Sequence, residues 1–186
     1  MKKRLIFGSI AVIALIGAVG GALLFQTSDL DRIHAGIAAT HDNVDHMSAD
    51  DLLALGSDEF VLFDVREADE FAVSHLPGAV LVDPGMSAAE FATRFGEKLE
   101  GKRAIFYCSV GVRSSILADR VAKLVQNSTG NTPVNLIGGL FKWRNEGREL
   151  VTDTGQPTGD IHPYDDYWGR LIEDRETISY LPETQP

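Results

Sequence analysis

A single cysteine, Cys108, is all the thiol chemistry this chain of 186 residues has. One thiol excludes an internal disulfide and a cysteine-built zinc site. Such a lone cysteine is ordinarily a buried small hydrophobe, so its neighbours must argue for anything more. Cations are scarce as well: 17 Lys and Arg face 27 Asp and Glu, for a net charge of -10. Lys2, Lys3 and Arg4 fall in the first 27 residues, where Asp and Glu are absent, so residues 28–186 carry 14 cations against 27 anions. A surface that acidic repels nucleic-acid phosphates and anionic lipid headgroups, which argues against both as partners of the folded part. Metal-binding patterns are missing too. His34, His41 and His46, spaced by 7 and 5, do not share a helix face and read as solvated histidines. No metal and no cofactor are expected.

Charge is also missing from residues 5–25, a run of 21. At about 1.5 Å per residue a helix of that length spans roughly the 30 Å of a hydrocarbon core. Secretory signals share the layout with a shorter apolar stretch, so length favours an uncleaved anchor, while Ala18-Val19-Gly20 keeps the spacing a signal peptidase accepts. Cations before the run and Asp29 and Asp31 after it place the first residues in the cytosol and the rest outside. The expectation is a single-pass inner-membrane protein with its domain in the periplasm, or a periplasmic protein if the signal is cleaved. On this reading residues 1–26 are the anchor, 27–46 a juxtamembrane linker, 47–150 the domain and 151–186 a C-terminal extension.

Within residues 47–150 short apolar runs alternate with helical patterns. Ser48 caps a short helix that ends near Gly56. Residues 59–65 (EFVLFDV), 79–82, 103–107 (RAIFY) and 134–137 read as buried strands. Between them lie a short helix over 67–73, one opened by the capping box Ser87 and Glu90 and running to Gly101, and one from about Ser114 to Gln126 with Ile116, Leu117, Val121, Leu124 and Val125 inward. A short helix carrying Phe141 and Trp143 follows Gly138-Gly139. The alternation implies an α/β fold with a parallel sheet covered on both faces, and ligands in such folds sit beyond the C-terminal strand ends. The extension, with Tyr164, Tyr167, Trp168 and Leu171, either docks on the domain or contacts a partner; docking is the simpler reading.

Cys108 stands where a strand ends, and Cys108-Ser109-Val110-Gly111-Val112-Arg113-Ser114 leads into the next helix. Gly111 permits a tight path, backbone N–H groups in such a loop converge on an anion, and Arg113 and the helix N-terminus add positive charge. Positive surroundings favour the thiolate, which is the nucleophile.

This loop resembles the active-site loop of the rhodanese family, of the Cys-x-x-Gly-x-Arg type. Three further segments agree and come in the family's order: Asp64-Val65-Arg66, His75-Leu76-Pro77-Gly78-Ala79 with Leu76 in place of the usual Ile, and Gly138-Gly139-Leu140-Phe141-Lys142-Trp143. The likeness spans about residues 44–150. It implies a rhodanese-like, mostly parallel five-stranded sheet flanked by helices, and a sulfurtransferase. Cys108 would take a sulfane sulfur from thiosulfate or a persulfide, hold it as a persulfide, and pass it to a thiol or other acceptor. Cys108 and Arg113 would be catalytic, with Ser109, Val110, Gly111, Val112 and Ser114 forming the substrate cradle. Asp64 and Arg66 would tie the early strand to this loop, and His75 would be a turn residue. Sulfur-transfer members have six residues from Cys to Arg, as here, whereas the related phosphatases have seven.

Partners are then a small-molecule or protein sulfur donor and a thiol acceptor. Because thiosulfate is a dianion and the domain is acidic, it is expected to be a poor donor, with turnover that rises as salt screens the repulsion. The alternative is an exported redox-sensing or partner-binding module without turnover; lacking a second cysteine, it would need another molecule to form a disulfide.

Overall fold

The computed structural model describes residues 28–182. Its centre is a pair of apolar strands, β2 (Phe60–Asp64) and β4 (Arg103–Tyr107), whose Phe, Val and Ile side chains suit a pleated buried surface. They pair in parallel over their whole length, from Phe60 opposite Arg103 to Asp64 opposite Tyr107. β3 (Val80–Leu81) extends the sheet beyond β2; β5 (Val134–Leu136) and β1 (Asp45–Met47) extend it beyond β4. The order is β1-β5-β4-β2-β3 with every pairing parallel, the parallel α/β sheet expected from the alternation of elements, with the five strands that the family resemblance implies.

Successive strand residues face opposite sides, and β4 shows how this builds two cores. Ile105 and Tyr107 pack with Leu62, Leu136, Phe141 and Trp143; Ala104 and Phe106 pack with Phe63, Phe91, Phe95 and Val121. The second face is covered by α4 (Ala88–Phe95) and α5 (Val112–Thr129), the first by α1 (Asp29–Ala38), α2 (Ala49–Leu53), α6 (Gly139–Asn145) and the C-terminal segment. Phe63 sits within 5.1 Å, ring centre to ring centre, of Phe91, Phe95 and Phe106. Truncating such a residue costs about 3–5 kcal/mol. α3 (Ala68–Val73) leaves β2 and leads toward the site.

Within the stretch 27–46, read as a linker, the chain forms a helix and begins a strand. Ser28 and Asp31 form a capping box that opens α1, and Leu30 and Ile37, two turns apart, are buried. β1 then enters the sheet as an edge strand with Met47 alone fully buried. Both signals are sparse in sequence: two buried positions in ten, then one in three. The histidines are half-buried rather than solvated, with His34 and His46 meeting edge to face at 4.7 Å. Among the described residues no group of three or more His, Cys, Asp or Glu could hold a metal.

Two helix details also differ. α4 ends at Phe95, and a 3-10 turn (Glu97–Leu99) carries Leu99 into the same core, so the apolar stripe spans two elements. α5 starts at Val112 rather than Ser114, and its inner stripe is Leu117, Val121 and Val125; Ile116, one residue off that stripe, turns about 100° away and is exposed.

The extension docks. β6 (Leu150–Val151) and β7 (Pro157–Thr158) form an antiparallel ribbon, α7 (Asp166–Gly169) follows, and Ile161, Leu171 and Ile172 join the core beside Phe141 and Trp143. Asn145 clips the chain to α6, donating to the Leu171 carbonyl at 2.8 Å and accepting from the Glu173 N–H at 3.0 Å. Leu171 docks as expected, but Tyr164 and Tyr167 stay exposed. The expected membrane helix over 5–25 lies outside the described residues; among those described, no helix is long and apolar enough to cross a membrane.

Candidate functional site

β4 delivers the chain to the C-terminal edge of the sheet, and four residues, Cys108 to Gly111, carry it into α5. The turn is possible because Gly111 adopts φ 101°, a conformation L side chains rarely take, and a Cβ there would also crowd the Asn135 amide at 3.1 Å. The loop is clamped from its far side by α6. The Leu140 N–H donates to the Cys108 carbonyl at 2.8 Å and the Phe141 N–H to the Ser109 carbonyl at 3.0 Å. These first-turn donors have no acceptor within their own helix. A Cβ on Gly139 would collide with the Cys108 carbonyl oxygen, so the Gly138-Gly139 pair is what lets the clamp close.

Cys108 is 1% exposed, yet it is not lost in the core. It forms the floor of a cavity of about 200 Å³ lined also by Ser109, Val110, Val112, Arg113, Tyr164 and Trp168. Its Sγ accepts a hydrogen bond from the Gly111 N–H at 3.2 Å. The first turn of α5 begins at the next residue and turns partial positive charge toward the same place. Ser114 contributes differently: its hydroxyl donates to Asn135 Oδ1 at 2.7 Å, buried behind the loop.

Arg113 lines the cavity, but its charge is already engaged. Nη1 and Nη2 fork onto the Glu70 carboxylate at 2.6 and 2.8 Å, and Nη2 also donates to Ser109 Oγ at 3.0 Å. Ser109 Oγ in turn donates to Glu70 Oε1 at 3.0 Å. Burial opposes the charge on both partners. The Arg113 hydrogen bonds and the charges of Arg113 and Arg66 nevertheless hold the Glu70 carboxyl below its usual range, and Glu70 together with the nearby Cys108 sulfur raises the Arg113 pKa. Three of the five guanidinium donors serve Glu70 and Ser109, and the other two are not part of that fork.

The Asp64-x-Arg66 segment explains how Glu70 gets there. Arg66 is completely buried; Nε and Nη2 bind Asp64 at 2.9 and 2.6 Å, and Nη2 and Nη1 reach the Ser74 and Glu70 carbonyls at 2.6 and 3.3 Å. The arginine therefore holds α3 at its middle and at its C-terminal end, and α3 presents Glu70 to Arg113. The expected tie between the early strand and the cysteine loop exists, one helix removed. His75 stacks on Phe71 at 3.8 Å and forms an isolated antiparallel bridge with Val151, so it stands just before the turn at Pro77-Gly78 rather than in it, as a bridge residue.

Sequence reasoning missed three neighbours of the site. Glu70 lies 43 residues from its partner with nothing local to link them. Tyr164 and Trp168 come from the extension, for which docking on the domain is the simpler sequence reading and partner contact the alternative. Tyr164 has φ 68°, its ring lies 4.7 Å from the Arg113 guanidinium carbon, and its N–H donates to His162 Nδ1 at 3.0 Å. Chemically, the arrangement offers one buried sulfur nucleophile to a small molecule under a mostly apolar roof.

The family described as rhodanese-like domain matches residues 48–146. The HTH-type transcriptional regulator Rv0324 of Mycobacterium tuberculosis is 31% identical over 101 residues, covering 54% of this chain and 41% of that protein. The match thus spans about two fifths of the length of this curated relative. Among solved structures, thiosulfate sulfurtransferase from Pseudomonas aeruginosa is 24% identical with a TM-score of 0.49, covering 77% of this chain and 26% of that one. Protein hp1203 from Helicobacter pylori is 26% identical with a TM-score of 0.45, covering 61% and 92%. Human single domain sulfurtransferase TSTD1 is 26% identical with a TM-score of 0.38, covering 53% and 93%.

Proposed function

Because the chain belongs to the rhodanese-like domain family, we propose that it is a sulfurtransferase that carries a sulfane sulfur on Cys108. The observation that carries this reading is a thiol at the floor of an open cavity with the Gly111 N–H on its sulfur. In the first step the Cys108 thiolate attacks the outer sulfur of a donor. An Sγ–S bond forms, the donor's S–S bond breaks, and its electron pair leaves on the inner fragment, sulfite from thiosulfate or a thiolate from a persulfide. In the second step an acceptor thiolate attacks the outer sulfur of the Cys108 persulfide and returns Cys108 to its starting state. The two steps are balanced without an external oxidant or reductant.

The Gly111 amide, the first-turn amides of α5 and the two remaining donors of Arg113 steady the persulfide anion. Ser109 fixes the Arg113 fork, and Val110 and Val112 exclude water from the sulfur. Donor and acceptor are small molecules or cysteines of partner proteins. In the same reading the charge-free run over 5–25 holds the domain at the outer face of an inner membrane, a placement supported by the sequence alone.

The test is turnover by the full chain given a persulfide donor and a thiol acceptor, with the acceptor persulfide formed in the second step, trapped by alkylation, as the readout. The expected result is catalysis that falls to background in Cys108→Ser. Undiminished turnover in that variant would remove Cys108 from the reaction. Absence of turnover with accumulation of a sulfenic acid or mixed disulfide on Cys108 would favour a redox-sensing module instead.

A further inference from the structure

The family match ends at residue 146, yet two of the residues that line the Cys108 cavity, Tyr164 and Trp168, lie beyond it. Their segment is built onto the domain rather than draped over it. Ile161 and Ile172 are buried, and Trp168 packs on the same core. Asp165 Oδ1 accepts from the Trp168 N–H at 2.8 Å and so opens α7. Gly169 sits so close to Pro163 that a Cβ would stand 2.8 Å from the proline side chain, and its carbonyl accepts from Arg175 Nη1 at 2.8 Å.

Tyr164 is the strained point of this segment. A positive φ is uncommon for a bulky residue and tends to persist where surrounding structure enforces it. The strain serves no core, since Tyr164 is 47% exposed. What it achieves is to set the phenol ring against Arg113 at the cavity mouth. The cation is then held by Glu70 on one side and the Tyr164 ring on another; besides Cys108 and Ser109, whose hydroxyl is engaged by Arg113 and Glu70, the lining is Val110, Val112 and Trp168. A small inorganic dianion gains little there, and the acidic chain around it opposes its approach. A planar apolar group next to a sulfane sulfur gains contact with two aromatic rings and two valines. The cavity of about 200 Å³ is smaller than the roughly 300–1,000 Å³ of sites for drug-sized ligands, so it suits one ring and its sulfur group.

We propose that Tyr164 and Trp168 form a specificity wall that selects organic sulfane-sulfur donors bearing a planar apolar group over inorganic thiosulfate. The proposal rests on the sulfur-transfer reading of Cys108. With an aryl thiosulfonate, the Cys108 thiolate attacks the terminal sulfur, the Sγ–S bond forms, the bond to the sulfonyl sulfur breaks, and the arylsulfinate leaves with the electron pair.

The experiment compares kcat/KM of the full chain for benzenethiosulfonate, methanethiosulfonate and thiosulfate. The expected result is a preference of about tenfold or more for the benzene over the methane donor, the size of discrimination an apolar pocket supplies. Trp168→Ala should remove most of that preference, read as the ratio of kcat/KM for the two donors, and Trp168→Phe should restore the ratio. Tyr164→Leu should act in the same direction without disturbing α7. Equal efficiency with both donors in the unaltered chain, or equal loss with both in Trp168→Ala and none in Tyr164→Leu, overturns the wall. Calorimetric binding of benzenesulfinate and methanesulfinate to Cys108→Ser separates the two claims. Ring preference in binding with no donor loading Cys108 in the unaltered chain sinks the sulfur-transfer reading and keeps the wall; transfer without ring preference sinks the wall and keeps sulfur transfer.

Discussion

Arg66 on Asp64 and Arg113 on Glu70 are the same chemical bond in two settings. The first pair has no exposure at either side chain, and four of the Arg66 donors are spent on Asp64, Glu70 and Ser74. The second pair has an arginine side chain 22% exposed beside the cavity and donors to spare. The pairs are joined, because Arg66 holds the carbonyl of Glu70 while the Glu70 carboxylate holds Arg113. An arginine with every face enclosed can only position the fold. An arginine at a cavity edge can also meet a ligand, with a charge softened by its partner. The comparison teaches that the cysteine loop is set by a relay, from Asp64 through Arg66 and α3 to Arg113, and not by the loop sequence alone.

The comparison breaks most visibly at its buried end. Asp64→Asn leaves the enclosed Arg66 charge without its hydrogen-bonded carboxylate partner, and the expected cost is about 3–5 kcal/mol in urea unfolding. A loss below about 1 kcal/mol would mean that Arg66 is not held by Asp64 in the way described. Glu70→Gln should cost less, about 1–3 kcal/mol, because Arg113 can turn toward water. It should also raise thiosulfate transfer, since it releases a cation to the cavity; unchanged or lower transfer would show that Glu70 does not restrain Arg113.

The smallest effect is in pH. Burial would raise the Glu70 carboxyl, but Arg113 and Arg66 hold it below its ordinary 4.5. A carboxyl depressed in the folded state stabilises fully above its ordinary value and loses that contribution as pH falls through the depressed one. Urea midpoints of the unaltered chain and Glu70→Gln should therefore differ by a constant amount above about pH 5 and converge below pH 4.5. A difference that grows on acidification would carry the wrong sign.

How far the sequence could be read depended on the range over which its signals act. β2 and β4 were legible as dense apolar runs, and the Ser87–Glu90 box as a local hydrogen-bond pattern. The turn at Cys108 was legible because a strand end, a glycine and a helix start adjoin. β1 was not, since Asp45-His46-Met47 offers one buried side chain and gets its place from backbone pairing to β5. Glu70 was not, because its meaning depends on a partner 43 residues away. Tyr164 and Trp168 were visible as an aromatic patch, but docking and ligand contact look alike in sequence, and here one segment does both.

The central claim is that Cys108 accepts and then gives up one sulfur atom. Intact mass and peptide mapping of the full chain, before donor, after donor and after a thiol chase, test it directly. The account predicts one added sulfur atom, located on Cys108, that disappears on the chase and never appears in Cys108→Ser. An unchanged mass after excess persulfide, or added sulfur that no thiol removes, would contradict it.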